Sequence, residues 1–286
     1  MTLEEKVALT ILILALIGLG TVITWTLRLI KFLFIKIFCT YKITITKREP
    51  NNNKKKNTIT SFPRTNINID DYFQSAYYLA KKEPYSTVLN DAGKYGEYLI
   101  YHYLKDYQCS GGKFLFNCYI PKGEKQTTEI DVILLHPRGI FVFESKNYSG
   151  WIFGNEVSDY WTQTLPVRRG ESHKERFYNP VKQNNLHIEN LKKIVGNAFP
   201  IYSIIVFSER CTLKDVNVHL PNVYITNINY VNAILSGIMI NTSEMLSIED
   251  VNEIFAKLYP YTEVSEEVKR QHIENLNREN VNLPFL

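Results

Sequence analysis

Asp131, Glu144 and Lys146 are the residues whose types and spacing suggest chemistry. Asp131 interrupts the apolar run TEIDVILLH (128–136), and Glu144 and Lys146 close GIFVFESK (139–146). A carboxylate in the middle of an apolar strand is costly to bury without a partner. Residues two apart on a strand project from one face, so Glu144 and Lys146 share a side. The tight HPRG turn (136–139) makes the two runs antiparallel neighbours and brings Asp131 beside Glu144. Two carboxylates and an amine then meet at one edge of a sheet.

That set suits a hard divalent cation. Mg²⁺ takes carboxylate oxygens and keeps several waters, and Mn²⁺ accepts similar oxygen ligands. Held by Asp131 and Glu144, such an ion would polarise a phosphodiester and lower the pKa of a water. Lys146 would orient or activate that water, or stabilise the charge developing at phosphorus. The plainer reading is a Glu144–Lys146 salt bridge at a strand end.

The surrounding elements must position these groups. DAGKYGEYLIYHYLKD (91–106) reads as a helix, with Asp91 as its N-cap and Tyr95, Leu99 and Tyr103 on one stripe. Strands follow at 113–120, 128–136 and 139–145, separated by PKGE and PRG turns. GWIFG (150–154) and WTQTL (161–165) extend the same sheet in this reading. Pro180 opens a helix that Gly196 ends. Strands at 201–208 and 222–226 follow, then helices at 228–235, at 248–258 behind the Ser247/Asp250 capping pattern, and at 266–276. The order implies a mixed α/β domain, a central sheet with helices on its faces.

The order acid, twelve residues, acid, x, Lys matches the D-(x)n-(D/E)-x-K pattern of restriction-endonuclease-like nucleases. GKYGEYLIYHYL (93–104), TEIDVILLHPRGIFVFESKNYSGWIFG (128–154), WTQTL (161–165) and FYNPVKQNNLHIENLK (177–192) resemble, in order and spacing, the nuclease-related domain called NERD. The resemblance covers roughly 90–210. It implies a restriction-endonuclease-like mixed central sheet flanked by helices, and nucleic-acid processing as the activity. It maps an early-helix acid onto Glu97, a strand acid onto Asp131, the E-x-K onto Glu144 and Lys146, and a following Gln onto Gln183. His187 lies one helical turn after Gln183 on the same face. The resemblance thus implies catalytic Asp131, Glu144, Lys146, Glu97 and Gln183, with Asp131, Glu144 and Glu97 as metal ligands. Glu97 reads equally as a solvated helix residue, Gln183 as a polar helix contact, and His187 first as a surface histidine. Trp151, Phe153 and Trp161 read as core.

Arg168, Arg169, Lys174, Arg176 and Lys182 outnumber Glu171 and Glu175 between the sheet and the Gln183 helix. A basic loop there, with His187, is the candidate contact for backbone phosphates of DNA or RNA. No base-reading motif is present.

Charge elsewhere is segregated. Residues 28–64 carry ten Lys or Arg against the single acid Glu49, a net +9, whereas residues 65–286 sum to −4. Val7–Leu27 is an uncharged apolar run of 21 residues, long enough as a helix to span roughly 30 Å of hydrocarbon. Arg28, Lys31 and Lys36 follow it, which by the positive-inside rule puts the N-terminus outside and the remainder in the cytoplasm. The expected organisation is a transmembrane and juxtamembrane anchor (1–39), a basic polar linker (40–71) and a cytoplasmic nuclease-related domain (72–286) with a helical extension at 228–286. Composition (45% hydrophobic, 22% charged) excludes a wholly disordered chain. The four cysteines form no zinc or disulfide framework. The expected function is a membrane-anchored nuclease dependent on Mg²⁺ or Mn²⁺. The alternative is a catalytically silent module that binds nucleic acid or protein at the membrane.

Overall fold

The structure, a computed structural model, describes residues 67–123, 126–166 and 172–281. The apolar run Val7–Leu27 and the polybasic stretch lie outside the described residues. Among the described residues no helix is long and apolar enough to cross a membrane.

Three short helices come first, α1 (Ile69–Phe73), α2 (Ala76–Lys81) and α3 (Tyr85–Asn90). The first begins inside the segment expected to be linker. Next is α4 (Ala92–Leu104), capped as expected by Asp91, whose Oδ1 accepts from the N–H groups of Gly93 and Lys94 at 2.9 and 3.0 Å. A 3₁₀ turn ends at Gly111, in the left-handed region with φ +88°. The strands are β1 (Lys113–Pro121), β2 (Thr127–His136), β3 (Gly139–Lys146), β4 (Gly150–Asn155), β5 (Tyr160–Pro166) and β6 (Ser172–Tyr178). Helix α5 (Pro180–Val195) leads to β7 (Ile201–Phe207), β8 (Cys211–Asn217) and β9 (Val223–Asn227). The helices α6 (Val231–Asn241), α7 (Ile248–Leu258) and α8 (Glu266–Val281) complete the described chain.

These strands make a mixed α/β fold with two sheets. The first has the order β1-β2-β3-β7-β9. Its first three strands are antiparallel, and β7 joins β3 in parallel. A parallel partner needs a crossover, and the stretch from β4 to α5 supplies it. Both faces of this sheet are covered, which is why β3 and β7 read as nearly continuous apolar runs. Helices α1 to α4 and α6 pack on Phe114, Phe116, Val132, Phe141 and Phe143. Helices α5 and α7 pack on Leu115, Ile133, Ile140 and Val142.

The second sheet, β6-β5-β4-β8, corrects the expectation that 150–154 and 161–165 extend the first. Its inner face carries Ile152 and Trp161 against Val181, Ile205 and Phe207. Gly154 is where this packing needs glycine, because a Cβ there would come within 2.2 Å of the Trp161 ring. A further correction concerns the expected basic loop, whose residues Ser172–Tyr178 form strand β6, paired with β5 from Tyr160↔Tyr178 to Pro166↔Ser172. Trp161 is core as expected, but Trp151 is exposed on the opposite face.

Candidate active site

Asp131 and Glu144 lie on adjacent antiparallel strands. The pairing Val132↔Phe143 places them opposite each other one step further along. Asp131 Oδ2 accepts from the Ser145 N–H at 2.7 Å, fastening it to the residue between Glu144 and Lys146. The Lys146 ammonium lies 2.7 Å from Glu144 Oε1 and donates to Gln183 Oε1 at 2.9 Å. The other oxygen of Glu144, Oε2, is 3.1 Å from His187 Nε2. An ionised carboxylate only accepts, so Nε2 carries a proton; Nδ1 is partnered by the Thr128 hydroxyl.

Helix α5 positions Gln183 and His187. The Asn179 side chain accepts from the Val181 N–H at 2.9 Å to cap it, and its own amide donates to the carbonyls of Asn155 and Ser158. Buried Asn184 donates to the Val142 carbonyl at 3.1 Å and to Ser203 Oγ at 2.8 Å, which ties the helix to β3 and β7. His187 is therefore buried rather than at the surface.

Glu97 arrives from α4, beside Gly96, where a Cβ would come within 2.3 Å of Ser145 Oγ. Glu97 is buried, and its oxygens accept from the Tyr77 hydroxyl at 3.3 Å and the Asn117 amide at 3.1 Å. The same Asn117 nitrogen reaches Glu129 Oε1 at 2.9 Å, and Asn117 Oδ1 accepts from Lys81 at 2.7 Å.

The electrostatics sort these acids. Burial would raise the Glu144 carboxyl, but Lys146 and His187 outweigh it and hold it at about 2. Burial pushes Asp131 well above the usual carboxylate range, with the charges of Glu144 and Glu97 adding to it. Burial also lifts Glu97 to about 7. Burial alone would lower the Lys146 ammonium, but Glu144 raises it on balance, so it stays charged. The result is one ionised carboxylate, one ammonium and two acids that resist ionisation.

The nuclease-related domain model matches residues 92–208, the stretch that holds Glu97, Asp131, Glu144, Lys146, Gln183 and His187. An uncharacterized protein of Bacillus anthracis, pXO1-01, is 30% identical over 185 residues, 65% of this chain and 84% of that protein. The chain belongs to the nuclease-related domain (NERD) family. No solved structure matches it.

Within this NERD domain, among the described residues, no group of three or more His, Cys, Asp or Glu is arranged to hold a metal ion. The donor set on offer is Asp131 with Glu144. Two hard oxygen donors suit Mg²⁺ or Mn²⁺, which fill the rest of their shell with water, and no described residue donates to Asp131 Oδ1. The oxygens of Glu97 are already engaged by Tyr77 and Asn117.

Of the residues expected to meet substrate, His187 joins this group, whereas Lys174, Arg176 and Lys182 do not. Arg168 and Arg169 lie outside the described residues. Lys174 and Arg176 stand on β6, and Lys182 pairs with Asp159 at 2.6 Å. The sequence reading missed Thr128, Asn117 and Asn184, which hold the acids or the helix. Asn184 carried the one signal available, a polar residue inside the stripe of Val181, Ile188 and Leu191.

Proposed function

We propose that this chain is a divalent-metal-dependent nuclease that cleaves phosphodiester bonds of DNA or RNA. The supporting observation is the Lys146 ammonium, fixed between Glu144 and Gln183 on the strand that faces Asp131. Asp131 and Glu144 would hold Mg²⁺ or Mn²⁺, which when bound would polarise the phosphodiester. Lys146 remains protonated, so its part is to stabilise negative charge on the phosphoryl oxygens as it develops. Gln183 orients that ammonium, and His187 keeps Glu144 ionised and aligned. Thr128, behind the imidazole, fixes the ring.

The test is cleavage of mixed DNA and RNA by the purified full chain with Mg²⁺ or Mn²⁺. Cleavage is expected with metal, and its loss in Asp131→Ala and Lys146→Ala. Undiminished cleavage by both variants sinks the assignment. One observation favours a catalytically silent binding module instead: both oxygens of Glu144 are already taken, by Lys146 and His187. Metal-independent binding without cleavage under any divalent ion would establish that reading.

The anchor belongs to the same proposal. The uncharged run Val7–Leu27 and the basic flank after it support a single-pass membrane protein, N-terminus outside and nuclease domain in the cytoplasm. The chain is expected in the membrane pellet after alkaline extraction. Its recovery in the supernatant would contradict the anchor.

A further inference from the structure

The outer face of the second sheet carries aromatic rings and several cations, with an acid, Asp215, opposite Phe153. Ile152 and Trp161 point into the core, so Trp151 on β4 and Tyr160 on β5 point outward. Tyr178 on β6 pairs with Tyr160, their rings 6.2 Å apart. Trp151 is 51% exposed and Tyr178 47%. Arg176 lies over the Tyr160 ring at 4.9 Å, and Lys214 of β8 over Trp151 at 5.6 Å. Lys174 completes a row across the sheet, Trp151↔Thr164↔Lys174. Glu175 alternates to the other side and pairs with His173.

We propose that this face binds single-stranded nucleic acid, with bases stacked on Trp151 and Tyr178 and phosphates held by Lys174, Arg176 and Lys214. Exposed ring faces need unstacked base faces as partners, and a duplex hides its own. The cations supply local charge complementarity on a body whose residues 65–286 sum to −4. The face also adjoins the acids: Trp151 follows Lys146 by five residues, at most about 18 Å of chain. That a bound strand feeds the Lys146 site rests on the nuclease reading; the binding itself does not.

The experiment is fluorescence anisotropy of a labelled oligothymidylate of about 16 nucleotides with the full chain, in EDTA so that no cleavage intervenes. Trp151→Ala is expected to weaken binding roughly tenfold and Trp151→Phe to keep most of it. Arg176→Gln should lower the slope of log affinity against log salt by about 0.7. Lys257→Gln, at an exposed lysine of α7 paired with Glu253, should bind as wild type. Affinity unmoved by Trp151→Ala, or a duplex bound more tightly than the single strand, overturns the proposal. Loss of binding in Trp151→Ala by a chain that never cleaves would sink the nuclease reading alone. Cleavage with binding indifferent to Trp151 would sink this inference alone.

Discussion

Asn117 and Asp131 face each other at the point where β1 and β2 both turn their side chains over. Phe114 and Phe116 pack under α4, but Cys118 and Ile120 pack on the opposite face. On β2, Val132 and Ile130 divide in the same way. Regular alternation would keep residues two apart on one side. Asn117 breaks it with a left-handed backbone, φ +50°, which Asn tolerates better than most residues. The acid opposite it is thereby released from both cores and is free to reach the Ser145 N–H.

Asn117→Gly and Asn117→Ala both remove the amide that bridges Glu97 and Glu129, but only Ala keeps a Cβ at positive φ. The Gly variant is expected to be the more stable by about 1 kcal/mol in urea denaturation. Equal stabilities would contradict strain at this position.

Glu97 supplies a pH signature. Its folded carboxyl sits at about 7 against an ordinary 4.5, so the folded chain holds this proton more tightly than the unfolded one. Its contribution to stability is therefore lost as pH rises from about 4.5 to about 7. Glu97→Gln should match wild type at acid pH and exceed it above neutrality by on the order of 3 kcal/mol. Melting temperatures across pH check this, and a gap independent of pH would refute it.

The parts legible in the sequence were those with a strong period or cap. Helix α5 runs from Pro180 to Val195 as its Pro and Gly signals indicated, and the Ser247/Asp250 capping box opens α7. Strands β6 and β8 were missed because SHKERFY and CTLKDVN lie at sheet edges and are polar over most of their length. The tyrosine-rich helices α1 to α3 are too short to show a period. At the site, the strand positions of Asp131, Glu144 and Lys146 followed from alternation and one tight turn. The burial of His187 did not, because it depends on Thr128 and Glu144, which come from two other elements.

Lys146 neutralises a buried charge. Lys146→Met leaves ionised Glu144 with only His187 and is expected to cost about 3–5 kcal/mol. Adding Glu144→Gln should recover most of that loss in denaturant titrations. A double variant no more stable than Lys146→Met would show that the ion pair is not what couples the two positions.

Gly154→Ala would press a methyl group into the Trp161 ring. The expected loss is about 1–3 kcal/mol, read as a lowered Tm. An unchanged Tm would mean that Trp161 has room to move.

The claim that Asp131 and Glu144 form one cation site is tested most directly by calorimetric titration of the full chain with Mn²⁺. Wild type is expected to bind Mn²⁺ more tightly as pH rises, since burial raises the Asp131 carboxyl and a cation needs it ionised. Asp131→Asn and Glu144→Gln should each abolish that heat, and Arg176→Gln should leave it intact. Mn²⁺ binding undiminished in Asp131→Asn would contradict the account.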